Sequence, residues 1–102
     1  MRTVTMNKKI TLQKRTEPYG HSDIEPIVAE AEVCGAVRTP SLTFVNSMAA
    51  MGYRIALTVV VWRNEFEKAD YTHAVVDGKD YRIADIGAGV NDLFVNLALE
   101  RQ

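Results

Sequence analysis

The chain has 102 residues, the size of one small domain, and its 47% hydrophobic content lies well above the disordered range. Twelve Lys and Arg against thirteen Asp and Glu leave a net charge of −1, which argues against a protein built chiefly to grip phosphate backbones, since such domains carry a basic face. The longest strongly apolar run, residues 55–62, is far short of the roughly 20 residues a membrane-spanning helix needs. The single cysteine, Cys34, has no internal disulfide partner, so the expected setting is a reducing bacterial cytoplasm without membrane insertion.

Residues 1–9 are polar and basic and are expected to fray. Ile10-Thr11-Leu12-Gln13 then alternates apolar and polar, the period of a half-buried strand. Residues 17–26 collect Pro18, Gly20, Ser22, Asp23 and Pro26, so they read as a loop. Residues 27–38 predict a long strand with one wet face: Ala29, Ala31, Val33 and Val37 stand on one side, Glu30, Glu32 and Arg38 on the other. Gly35, in the middle of that strand, marks an expected bulge or bend.

Pro40 stops the strand, and residues 39–52 form a long connection that predicts a partly helical or mobile loop. Ser41 is placed to cap a short helix with Leu42, Val45 and Met48 on one stripe and Phe44, Met48 and Met51 on an adjoining one. β-Branched Val45 and the poor helix formers Asn46 and Ser47 make such a helix marginal on its own. The segment is nevertheless too apolar for an idle surface, so Leu42, Phe44, Val45, Met48 and Met51 are candidate contact residues.

Residues 53–63 give the clearest strand, with Ile55, Leu57, Val59 and Val61 on one face and Arg54, Thr58 and Trp62 on the other. Residues 64–70 are a charged turn. Asp77-Gly78 between two β-rich runs predicts a two-residue hairpin that sets Val76 opposite Lys79 and Ala74 opposite Tyr81. Residues 87–92 turn the chain again, and Leu93, Val95, Leu97 and Leu99 form the inner face of a last strand. About six antiparallel strands with no long amphipathic helix to cover a sheet predict a single all-β domain, a small barrel whose closure hides its edges.

No grouping of residues points to an enzyme. His21, near Asp23 and Glu25, sits in a proline-flanked loop without the ligand number or spacing that a metal requires. His73 is expected to pair across the hairpin with Arg82 or Asp80. Cys34 has no base or activating motif beside it. Asp77, Asp80 and Asp85 fall on opposite arms and faces of the hairpin, as turn former and solvated residues. Gly87-Ala88-Gly89 lacks the helix N-terminus that a phosphate loop uses. Arg54, Arg63, Trp62, Tyr53 and Tyr71 interleave aromatics with basic groups as single-strand-binding barrels do, but Glu65, Glu67 and Asp70 crowd the same turn and cancel the field. Tyr53 and Trp62 are therefore candidate interface aromatics. No metal, cofactor or catalytic residue is expected.

The order of these features resembles a known family. A strand starting Ile10-Thr11-Leu12-Gln13-Lys14-Arg15 precedes a polar loop and then Ala31-Glu32-Val33-Cys34-Gly35-Ala36-Val37. After a variable connection with Met48-Ala49 comes a strand ending Val59-Val60-Val61-Trp62-Arg63, and then Asp77-Gly78-Lys79-Asp80-Tyr81-Arg82-Ile83-Ala84-Asp85-Ile86 before the last strand. This is similar to the head-closure, or head–tail joining, proteins of long-tailed bacteriophages, over residues 10–100, with the hairpin as the most specific piece. One departure is Cys34, where that family often has tryptophan. The resemblance implies a small β-barrel that forms a homo-oligomeric ring below the portal and adaptor, closes the DNA-filled head and offers a docking surface to tail proteins. It also implies that residues 39–52 project toward the channel, near packaged DNA, and that the protein passes from the host cytoplasm into the virion. A tail-completion or tail-terminator protein and a small nucleic-acid-binding barrel are the alternatives.

Overall fold

A computed structural model describes residues 6–16, 26–88 and 92–101. Six strands and two helices follow one another in the described residues: β1 (Lys8–Arg15), β2 (Ile27–Arg38), α1 (Leu42–Ala50), β3 (Ile55–Trp62), α2 (Arg63–Phe66), β4 (His73–Val76), β5 (Lys79–Ala88) and β6 (Phe94–Arg101). All neighbouring strands are antiparallel, and the sheet closes on itself as a barrel in the order β1-β2-β3-β6-β5-β4. The alternation read from the sequence becomes the barrel's interior, where Ile10, Leu12, Val59, Val61, Leu97 and Leu99 are fully buried. Leu57 and Ala31 pack against that core from its margin.

The Asp77-Gly78 hairpin is the two-residue type expected. Asp77 at φ 52° and Gly78 at φ 76° both adopt left-handed backbone, and Val76 opposes Lys79 while Ala74 opposes Tyr81. Primed turns of this kind match the right-handed twist of the flanking strands.

Several boundaries differ from expectation. Lys8 and Lys9 are not frayed; they pair with Gly35 and Cys34 at the start of β1. Leu93 precedes β6 and is exposed, so the inner face of the last strand begins at Val95. Gly87 and Ala88 extend β5 opposite Asn96 and Val95 instead of turning away. The ladders of β2 with β1 and with β3 both end at Gly35 and neither shifts register there, so it is no bulge. Its hydrogen is demanded by crowding: a Cβ there would strike Ile10 and lie 2.8 Å from the Val60 carbonyl oxygen.

Bulges occur elsewhere and re-aim side chains. Between Ile55 and Leu57 the β3–β6 register slips by one residue, so Ile55 sits opposite Glu100 while Leu57 sits opposite Leu99. Because one residue of slip flips a strand's faces, Ile55 leaves the interior set predicted for it and joins the outer wall. A second slip between Ile83 and Asp85 keeps Ile83 inside opposite Leu99 and turns Asp85 out opposite Ala98.

The end of the barrel beside α2 is plugged by aromatics. The segment after β3, read from sequence as a charged turn, makes the single turn of α2 and buries Phe66 against Tyr71, their ring centroids 6.1 Å apart. Among the described residues no helix is long and apolar enough to cross a membrane.

Candidate contact surface

Helix α1 is the feature that the strand pattern alone does not require. The Ser41 hydroxyl accepts from the Phe44 N–H at 3.2 Å, supplying the expected N-cap. Beyond Ala50 and the Met51 cap comes Gly52, φ 91°, where left-handed backbone lets the N–H groups of Gly52 and Tyr53 return to the carbonyls of Ala49 and Met48. Marginal propensity is overcome by tertiary packing: Met48 is buried with Ile55 and Ala98 on the outer face of β3 and β6, flanked by Phe44, Tyr53 and Ala84.

This docking divides the five candidate contact residues. Met48 is taken up by packing within the chain, and Phe44 and Val45 are half-buried. Leu42 and Met51, at opposite ends of the helix, keep 75% and 64% of their surface exposed. The N-terminal end of α1 also overhangs an open cleft of about 290 Å³ whose walls include Arg38, Ser41, Phe44, Thr58, Asp85 and Asn96.

The aromatic and basic residues considered for nucleic acid do not converge. Tyr71 is in the core and Tyr53 lies against the α1 cluster. Trp62 leans on Phe94, with centroids 4.4 Å apart, so part of its ring is covered by its cross-strand neighbour. The Arg63 Nε donates to the Asp92 carbonyl at 2.7 Å, and its guanidinium lies 3.5 Å from Glu67.

The wall opposite α1 is polar and cross-linked. Glu30 accepts from the Gln13 amide at 2.8 Å, Gln13 accepts from Arg15, and Arg15 pairs with Asp80 at 3.2 Å, joining β2, β1 and β5. Asp77, at the turn, faces Lys8 at 3.4 Å. His73 is opposite Arg82 as expected, but it is buried, with Nδ1 2.7 Å from the Thr72 hydroxyl. Glu100 accepts from the Arg54 N–H at 2.9 Å and from the Arg82 guanidinium. The Arg54 backbone bond, with help from Arg82, holds its carboxyl below the ordinary range against a smaller opposing effect of desolvation.

Cys34 is exposed on β2. His21, Asp23 and Glu25 lie outside the described residues. Among the described residues no three His, Cys, Asp or Glu side chains gather as a metal ion would require. Besides His73, a buried polar group that sequence reasoning missed is Gln13, which alternation placed on a wet face. Its cover comes from Arg15, only two residues along the same strand, and from Glu30 across the ladder. The sequence matches no protein-family model, and a search of curated proteins finds no relative at a significant level.

Proposed function

We propose that this protein is a structural component of a bacteriophage head–tail connector, acting by protein–protein contact as one subunit of a ring below the portal. The reading rests on the resemblance of residues 10–100 to head-closure proteins. The observation that supports it best is the closed barrel carrying α1 on its outer wall with Leu42 and Met51 left uncovered. Large apolar side chains held in water at the two ends of a docked helix suit a surface that is covered in an assembly. The polar wall and the plugged end give the barrel a fixed shape, which suits a scaffold that must present the same face to neighbours above and below.

Particle assembly tests this reading. In a phage genome that carries this gene, its loss is expected to leave DNA-filled heads that leak their genome and fail to join tails, and the intact chain supplied in trans restores infectious particles. A Leu42→Glu, Met51→Glu double variant should melt like the parent yet fail to restore them. Normal tailed, DNA-retaining particles without the gene would refute the connector reading.

A further inference from the structure

Two strands of the barrel are paired on one side only over part of their length. β2 pairs with β1 along residues 27–35 but with β3 only from Gly35 to Arg38, so among the described residues the edge of residues 27–34 has no second strand. β5 pairs with β6 up to Ala88 but with β4 only through Arg82. After the Ile83 N–H, which donates to the Thr72 carbonyl, residues 84–88 have no second backbone partner among the described residues. Open edges of this kind are templates for another strand unless they are blocked by proline, inward-pointing charge or cover. Among the described residues neither edge carries a proline or pairs with a further strand, and both present exposed aliphatic residues: Ile27 and Val28 are 51% and 55% exposed, and Ile86 is 53% exposed.

We infer that the β2 edge of one copy pairs with the β5 edge of the next, an inference that rests on the ring reading above and gives its subunit contact. The topology supplies the geometry. In the order β1-β2-β3-β6-β5-β4, β2 and β5 are three steps apart whichever way the barrel is traversed, so they stand on opposite walls. Three antiparallel steps also mean that they run in opposite directions. Both open edges face the same way round the barrel, β2 toward β3 and β5 toward β4, and on opposite walls that sense becomes opposite directions in space. A second copy in the same orientation therefore sets its β5 edge against the first copy's β2 edge, antiparallel, with no inversion. Two different surfaces meeting head to tail make a heterologous contact, the kind that closes into rings when its rotation permits.

Side chains agree with this arrangement. A sheet that passes from one wall of one barrel to the opposite wall of the next joins the outer face of the first to the inner face of the second. Ile27 lies on the outer face of β2, opposite Arg15, and Ile86 on the inner face of β5, opposite Leu97, so the two exposed isoleucines fall on the same side of the joint. Asp85 falls on the other side with Ala29 and Ala31, away from Glu30 and Glu32. A ladder of five residues is about 17 Å long, too short for a standard-size interface, so each contact is weak alone and gains from ring closure.

The test uses the full chain and two variants, Ile27→Lys and Ile86→Lys, each at an exposed position on one edge. Sedimentation should show concentration-dependent self-association of the parent, and each variant should remain monomeric with an unchanged melt. Mixing the variants is decisive. The Ile86→Lys chain keeps a sound β2 edge and the Ile27→Lys chain a sound β5 edge, so the mixture should form one-to-one dimers and nothing larger. A parent chain monomeric at about 1 mM, the concentration that still populates millimolar contacts, would overturn the inference, as would variants that associate like the parent or a mixture that stays monomeric. If the variants restore phage particles fully, the edges are not the contact although the connector reading stands. If the edges pair in solution but particles form without the gene, the connector reading falls and the contact remains.

Discussion

The two walls of this barrel are covered by different means. On the side of β3 and β6 both faces of the sheet are apolar: Val59, Val61, Leu97 and Leu99 fill the interior, while Val60 and Ala98 on the outside are nearly as buried, Ala98 in the cluster under α1. On the side of β1 and β4 only the inner face is apolar, and the outer face is closed by its own polar side chains, with Glu30, Gln13, Arg15 and Asp80 linked across three strands. The first wall draws its stability from area removed from water and depends on a distant segment to provide it. The second needs no other segment, but its interactions are part-buried hydrogen bonds ending in an exposed ion pair between Arg15 and Asp80, which contribute less than buried apolar area. A helix-covered wall is thus tied to the position of α1, whereas the polar wall is indifferent to it.

Truncating the shared interior should do the most damage. Leu97→Ala removes a fully buried side chain and is expected to cost about 2–5 kcal/mol, measured by urea unfolding with an unchanged slope. Met48→Ala should come next at about 2 kcal/mol, the low end of the range because the site borders water and can relax. Amide exchange would sharpen the contrast: in that variant protection should fall in α1 and stay near parent values along β1 and β4. Equal losses on both walls would mean that α1 stabilises the whole barrel and that the walls are one unit.

A third change acts where the walls join. The Asp77-Gly78 turn links β4 to β5, a strand whose Asp80 belongs to the polar wall and whose Ala84 flanks the α1 cluster. Gly78→Val places a β-branched side chain at φ 76° and is expected to cost about 1–2 kcal/mol, read from a thermal melt. Space is not the issue, since nothing lies within 4 Å of a Cβ there. The same loss in Gly78→Ala would confirm that backbone strain is responsible, and no loss in either would show that the turn has relaxed to another type.

Local chemistry made much of this legible. The hairpin was readable because two adjacent residues dictate it, and the interior was readable because alternation survives wherever the ladder is regular. Ile55 is buried as expected but on the outer face, because a one-residue slip leaves no mark in composition. Leu93 continues the alternation of Val95 and Leu97 but lies before the strand and is 61% exposed. Phe66 sits in a charged run, and only the path of the chain across the barrel end explains its burial. For the contact surface, sequence identified the right helix and its cap but not its docked face, because the partners of Met48 are Ile55 and Ala98, one of them fifty residues away. The open edges of β2 and β5 were not readable at all, since an edge is defined by which strand stops short beside it.

The smallest effect concerns acid. Glu100, near the end of β6, accepts from the Arg54 N–H and the Arg82 guanidinium, and its carboxyl titrates below its ordinary value in the folded chain. A group with a lowered folded pKa binds fewer protons folded than unfolded, so its contribution is complete at neutral pH and is lost as pH falls through the carboxylate range toward the folded value. Glu100→Gln should therefore lower the melting temperature at neutral pH and flatten its decline in acid, with parent and variant converging at the acidic end. Because Glu100 pairs across β6 and β3 with Ile55, it also tethers the start of β3, just beyond Tyr53 and the end of α1. Weakening that tether should loosen α1 more than β1, so exchange protection in the variant should fall first in the helix. A variant that keeps the parent's acid slope would show that the Arg54 and Arg82 bonds do not distinguish the charged carboxylate from the neutral acid. The helix-covered wall would then owe its stability to apolar packing alone.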